Sequence, residues 1–141
     1  MSEIKRFEDL KVWQKSHELA LEVYRVTQQF PNEEKFGLTS QIRRSAVSVA
    51  ANIAEGSKRR HLKEYIQMLY IPHGSLSETE YYLFLARDLK YLSDAKYQEL
   101  FNLSEEVGRM LNGLVKSLSS NLITQTSNLK RLSNNYQTTN R

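Results

Sequence analysis

The stretch QIRRSAVSVAANIAE, residues 41–55, decides the fold, because a helix with this sequence is apolar around almost its whole circumference. At about 100° per residue, a core stripe with the 3–4 spacing of a bundle helix follows one side of it. That stripe comprises Leu38, Ile42, Ser45, Val49 and Ile53. Only one narrow arc stays polar, and it comprises Gln41, Arg44, Ser48, Asn52 and Glu55.

A second apolar face lies beside the core stripe of this helix. It comprises Val47, Ala50, Ala51 and Ala54. A helix at the surface of a small monomer would show a wide polar face instead. We therefore expect the helix to be buried on two sides, by its own bundle and by another copy of the chain, and we predict a homo-oligomer.

The composition of the chain favours one helical domain. Its 141 residues suffice for a single sizeable core, and 40% hydrophobic with 26% charged content is typical of a folded protein. Only 5 Gly and 2 Pro occur, which favours long helices over a β-sandwich or barrel.

The absence of cysteine excludes disulfides, thiol catalysis and thiolate metal sites. The residues that follow Met1 are polar and charged, so we expect no signal peptide. No stretch is long and apolar enough to span a bilayer, so we expect no membrane partner. The predicted location is the cytoplasm.

Hydrophobic periodicity predicts four helices joined by short loops. The first covers residues 7–29 and is stopped by Pro31, and the second is capped by Thr39 or Ser40 and runs through Ala54. Gly56 is placed to end or bend that second helix. The third covers residues 62–92 with a kink at Pro72, and the fourth begins near residue 95. The pattern predicts an all-α, up-down-up-down four-helix bundle over residues 1–118.

Residues 119–141 form a polar basic segment in which Ser, Thr, Asn and Gln dominate and no acidic residue occurs. Leucines nevertheless continue at 3–4 spacing through it. Two alternatives follow. Either this segment is a disordered tail, because its helix propensity is poor, or it extends helix four and another chain covers its leucines.

Tests for catalytic and metal-binding motifs are negative. No acidic residue stands three positions before His17, His61 or His73, as a di-iron bundle would need. The chain also contains no P-loop, dinucleotide-binding glycine motif, zinc-protease motif or calcium loop. We expect no cofactor, no metal and no catalytic residue. His17 lies on the apolar stripe of the first helix, so we interpret it as a histidine of the core or of a subunit seam.

The polar arc of the second helix is either a solvent-exposed stripe or a hydrogen-bonded seam. We favour the seam, because Asn52 and Glu55 lie among Ala and Ile and buried polar groups often fix the register of packed helices. Ser75 and Glu78 of the third helix are its predicted partners.

The densest basic run lies at the turn between the second and third helices. It comprises Lys58, Arg59, Arg60 and Lys63, with His61 among them. One interpretation is a solvated loop, and the other is a contact surface for nucleic-acid phosphates, to which Arg43 would add. The net charge of +4 and the pI near 9.3 are compatible with a polyanionic partner.

Several short runs, in this order, resemble the bacterial family of 23S rRNA intervening-sequence proteins, which are sometimes labelled ribosomal proteins. They are FEDL at 7–10 with Trp13 and Gln14, FP at 30–31, FGL at 36–38, QIRRS at 41–45, NIAEG at 52–56 and GSLSE at 74–78. The resemblance covers residues 7–118, and NIAEG is its most specific part.

The resemblance implies a four-helix bundle that assembles into a ring, commonly a pentamer. It also implies genes that sit within intervening sequences of the large ribosomal RNA gene. The chain is similar, too, to the accessory variability protein of diversity-generating retroelements, a basic pentameric bundle that partners a reverse transcriptase and nucleic acid. Neither resemblance implies an enzymatic activity.

Two functional hypotheses follow. In the first, a non-catalytic oligomeric bundle binds structured RNA or another nucleic acid through repeated basic patches. In the second, the bundle is a protein-interaction adaptor, for example for a reverse transcriptase or another enzyme, and does not bind nucleic acid directly.

Overall fold

The computed structural model describes residues 6–139, with side chains through residue 136, and this part of the chain is helical and contains no strand. The five α-helices are α1 (Lys11–Thr27), α2 (Leu38–Ser57), α3 (Leu62–Met68), α4 (Tyr70–Asp88) and α5 (Asp94–Thr139). Two short 3-10 helices, Phe7–Asp9 and Asn32–Glu34, precede α1 and α2. The predicted all-α fold is confirmed, with α3 and α4 together forming the third helix of a four-helix bundle.

Each long helix packs against two neighbours, since α1 contacts α2 and α5, and α4 contacts the same two helices from the other side. This square arrangement is that of an up-down-up-down bundle. The fully buried centre includes Leu19, Ile42, Ile53, Leu83 and Leu111. Burying a side chain of this size stabilises the fold by about 1.5–3 kcal/mol.

The third helix is divided at Leu69, which corrects the prediction of a single helix kinked at Pro72. Pro72 has no backbone N–H, so the carbonyl of Met68 cannot accept the usual hydrogen bond four residues back. The chain starts a new helix at Tyr70 instead, and Pro72 then lies in the first turn, where a missing N–H costs little. Leu69 itself is fully buried, so the junction belongs to the core.

The sequence predicts that Gly56 ends or bends α2, and Gly56 lies one residue before the end of that helix. The helix continues to Ser57, and Gly56 is buried where α2 meets α3. A Cβ atom built at Gly56 would lie 3.2 Å from the Cβ of Met68. The glycine therefore permits the close approach of the two helices rather than a change in backbone direction.

Helix α5 extends well beyond the bundle. Its buried residues end at Leu111, and the side chains of Leu129 and Leu132 are about two-thirds exposed, at 66% and 65%. Residues 119–139 continue α5 as a helix. The last two residues lie outside the described part of the chain. None of the described helices combines the length and the apolar character that crossing a bilayer requires.

Candidate functional site

The basic turn, which we define as Lys58, Arg59, Arg60 and Lys63, connects the C-terminus of α2 to α3. All four side chains are exposed. Arg59 donates a hydrogen bond to Glu55 at 3.0 Å, and the ammonium of Lys58 lies 5.6 Å from the ring centre of Phe7. Within the described residues, no carboxylate pairs with Lys58, Arg60 or Lys63. The turn thus presents three cations to solvent.

The basic turn lies at the end of the bundle from which α5 projects. Helices α4 and α5 are antiparallel, because Ser104 donates to Glu80 at 2.6 Å and Leu76 lies against Gly108. Continuing this pairing toward the start of α4 brings α3 against the part of α5 that follows Gly108, and α3 and α5 are in contact. No acidic residue follows Glu106 in the chain. The projecting helix therefore adds no negative charge beside the turn.

Arg43 is not part of this surface, which corrects the prediction that it adds to the basic patch. It lies fifteen residues before Lys58 in the chain, a separation of about 22 Å along α2. Its Nε donates to the Oγ1 of Thr27 at 2.8 Å, and its guanidinium lies 4.5 Å from the ring centre of Tyr24. Arg43 thus fastens α2 to the C-terminal end of α1.

The predicted seam residues face one another across α2 and α4. The Nη2 of Arg44 donates to Glu78 at 2.5 Å, and the hydroxyls of Ser48 and Ser75 are 2.8 Å apart. Glu78 raises the pKa of Arg44 by accepting this hydrogen bond, so the guanidinium stays charged.

The remaining seam residues are less buried than we expected. Gln41 is exposed and accepts a 3.0 Å hydrogen bond from Arg44, and Asn52 donates to the carbonyl of Ser48 at 2.8 Å. Glu55 is also exposed, and it accepts a hydrogen bond from Arg59. The seam is therefore a hydrogen-bonded margin of the α2–α4 contact rather than a closed polar core.

An apolar groove of about 500 Å³ lies between α1 and α2. Its α2 wall comprises the four residues predicted as an oligomer face, Val47, Ala50, Ala51 and Ala54. Its α1 wall comprises Trp13, His17, Ala20, Leu21 and Tyr24. Except for Leu21, these residues belong to the apolar stripe that the sequence predicts for the first helix. The prediction of a four-residue oligomer face is wrong for Ala50, because Ala50 is buried within its own protomer. Val47 and Ala51 are exposed.

His17 lies at the groove and is exposed, so it is not a core histidine. Its ring stacks on Trp13, with the ring centres 5.0 Å apart and the planes 8° from parallel. Among the described residues, no group of His, Asp and Glu is placed to hold a metal ion. The two surfaces of interest are thus one cationic turn and one apolar groove.

Comparison with known proteins places these features in a family. The model of the family described as 23S rRNA-intervening sequence protein matches residues 8–113. A crystal structure of a protein of unknown function from the S23 ribosomal protein family, from Bacteroides thetaiotaomicron, is 32% identical with a TM-score of 0.69. That match covers 74% of this chain and 98% of the other. No curated protein matches. The chain belongs to the 23S rRNA-intervening sequence protein family.

Proposed function

We propose that this protein is a non-catalytic, self-associating helical bundle that binds structured RNA through phosphate contacts at the basic turn. The observation that carries the proposal is the set of three exposed cations, Lys58, Arg60 and Lys63, that have no carboxylate partner in the described residues. A cation that is already paired must give up its partner before it binds a phosphate, whereas these three need not. A cytoplasmic location is part of the proposal, because structured ribosomal RNA is found there.

The proposed recognition is of backbone shape and charge rather than of base sequence. Sequence readout of RNA needs groups that hydrogen-bond to the edges of unstacked bases, beside an exposed aromatic ring on which those bases stack. At the basic turn, the neighbouring aromatic ring of Phe7 lies under Lys58 and is itself only partly exposed. Phosphate contacts position a nucleic acid without reading it, and they fit this arrangement.

Self-association would strengthen these contacts. One basic turn supplies few charges, but several copies held in one assembly bind a long polyanion with a high effective concentration. The groove between α1 and α2 is the proposed contact between copies, because its walls are apolar and its residues Val47 and Ala51 are exposed in the protomer. The resemblance to ring-forming bundles supports the same arrangement.

The test is binding to a structured ribosomal RNA fragment and to duplex DNA, measured by fluorescence anisotropy across a salt series. The variant Lys58→Glu/Arg60→Glu/Lys63→Glu should weaken RNA binding at least tenfold. It should also flatten the slope of log K against log salt by about 2–3, since each lost phosphate contact removes about 0.7–0.9.

The matched control is Lys35→Glu/Lys90→Glu/Lys96→Glu, which changes the charge equally at the opposite end of the bundle. It should bind nearly as well as the unmodified protein. Equal weakening by both variants would mean that net charge alone drives binding, and unchanged binding by the first variant would exclude the basic turn.

The apolar groove supports a second candidate function, that of an adaptor that docks a protein such as a reverse transcriptase or another enzyme. An open groove of about 500 Å³ with predominantly apolar walls is suited to an apolar helix face. The adaptor hypothesis predicts no binding to RNA or DNA even at low salt. Measurable, salt-sensitive RNA binding that depends on the basic turn would count against it.

A further inference from the structure

The part of α5 that follows residue 118 lies outside the family match, which ends at residue 113. Beyond residue 118 the helix continues to Thr139, a length of about 31 Å at 1.5 Å per residue. Nothing in the proposed RNA binding uses this segment, so the inference below does not rest on that proposal.

One face of this segment carries a heptad pattern. Leu122, Gln125, Leu129 and Leu132 follow one another at intervals of three, four and three residues, and we call these four residues the tail seam. They correspond to the a and d positions of a coiled coil. The described protomer leaves Leu129 and Leu132 about two-thirds exposed.

The composition of the segment requires that something cover the tail seam. Ser, Thr and Asn, which dominate it, are poor helix formers because their side chains compete for backbone hydrogen bonds. An isolated helix of such residues is marginal in water, whereas packing of an apolar stripe supplies most helical stability in proteins. The helical state of this segment and the exposure of its leucines therefore both indicate that another helix packs on the tail seam.

The flanks of the tail seam favour another copy of this chain as its occupant. The e and g positions, which face the partner beside the seam, are Thr126, Asn128, Ser133 and Asn135. None of them is charged, so pairing of two copies creates no like-charge contact. Hydroxyl and amide groups both donate and accept hydrogen bonds, so they can pair with their own kind. The cations Lys130 and Arg131 occupy the b and c positions, outside the contact.

The direction of pairing follows from the position of the seam on α5. Leu111 and Leu129 are eighteen residues apart, which is five full turns, so the seam continues the face with which α5 packs into its own bundle. A parallel partner on that face would place its bundle where the first bundle already lies. An antiparallel partner places the two bundles at opposite ends.

We propose that the tail seam pairs with the tail seam of a second copy as an antiparallel two-helix coiled coil, with Leu129 of the two copies at its centre. The contact joins two bundles, or two assemblies of bundles, end to end.

The first test is the molar mass of the full chain by sedimentation velocity. Leu129→Asn/Leu132→Asn should halve the mass of the assembly, whether or not the bundles also associate through the α1–α2 groove. The control is Ile123→Asn, because Ile123 is equally exposed at 69% but lies beside the seam, at a b position. An unchanged mass for the double variant, or an equal effect of the control, would overturn the proposal.

The second test distinguishes antiparallel from parallel pairing of the two tail seams. The chain has no cysteine, so Lys116→Cys accepts a single spin label just outside the bundle. Because residue 116 lies thirteen residues from Leu129, antiparallel pairing places two labels about 40 Å apart, whereas parallel pairing places them about 20 Å apart. A distance near 40 Å that disappears in the Leu129→Asn/Leu132→Asn background supports the proposal. A short distance, or no dipolar coupling, overturns it.

Discussion

Thr79 of α4 donates a 2.8 Å hydrogen bond to Ser45 of α2, and both side chains are fully buried. Ser45 in turn donates to the carbonyl of Ile42 at 3.1 Å. This polar link is formed by the residues that directly follow Arg44 and Glu78 in the chain, so the α2–α4 contact has a hydrogen bond in its core as well as at its margin. Since a buried hydroxyl without a partner is costly, the link also fixes how the two helices align.

We predict that the two hydroxyls are energetically coupled. Thr79→Val should destabilise the fold by about 1–2 kcal/mol, because it leaves a buried oxygen of Ser45 without its donor. Ser45→Ala should cost about 1 kcal/mol, and the double variant less than the sum of the two, because it removes both polar groups together. Urea denaturation of all four proteins measures the coupling. Strict additivity would show that the hydrogen bond contributes nothing.

The second prediction concerns self-association through the groove between α1 and α2. Ala51→Arg places a guanidinium in the centre of an apolar surface, where burying an unpaired charge against another copy costs several kcal/mol. We expect the molar mass of the assembly to fall while the helical circular dichroism signal persists. The control is Ala95→Arg, at an exposed alanine in the first turn of α5. An intact assembly in the Ala51 variant would exclude this groove as the contact.

The bundle could be predicted from the sequence because the relevant signal is periodic. The apolar circumference of residues 41–55 predicts a helix that packs into its own bundle, and in the described structure both α1 and α4 pack against it. The contact of its second face with another copy of the chain stays a prediction. The position of Ser75 opposite Ser48 could be anticipated for a similar reason, since both lie on faces that a bundle must bring together.

The departures arise where tertiary packing overrides a local preference. Gly56 has the residue type that ends helices, yet close contact with Met68 keeps it inside α2. Arg43 is positively charged like the residues of the basic turn, but it does not lie near them. It precedes Lys58 by fifteen residues, and residues that far apart on one helix are well separated along its axis. Ser45 lies on the predicted core stripe of the second helix, but no pattern in the sequence identifies Thr79 as its partner.

The third prediction tests the role assigned to Gly56. Gly56→Val should destabilise the protein by about 1–3 kcal/mol, because a Cβ at 3.2 Å from that of Met68, with two further methyl groups, forces α3 away from α2. Gly56→Ala should be milder, since alanine recovers up to about 1 kcal/mol of helix propensity. The denaturation midpoints of the two variants and of the unmodified protein measure these losses of stability. A valine variant as stable as the unmodified protein would mean that α3 moves without cost.

The last prediction concerns alkaline pH. Burial raises the pKa of Tyr65, which packs against the core from α3, above its ordinary value of about 10. The folded state therefore resists ionisation of Tyr65 more than the unfolded state does. The contribution of Tyr65 to the free energy of unfolding is complete below about pH 10, and it is lost as the pH rises through the folded-state pKa. We expect Tyr65→Phe and the unmodified protein to differ in free energy of unfolding by a constant amount up to about pH 9, and the difference to move in favour of phenylalanine above pH 10. Because the other seven tyrosines are present in both proteins, the comparison isolates Tyr65. Parallel stability curves through pH 11 would contradict its raised pKa.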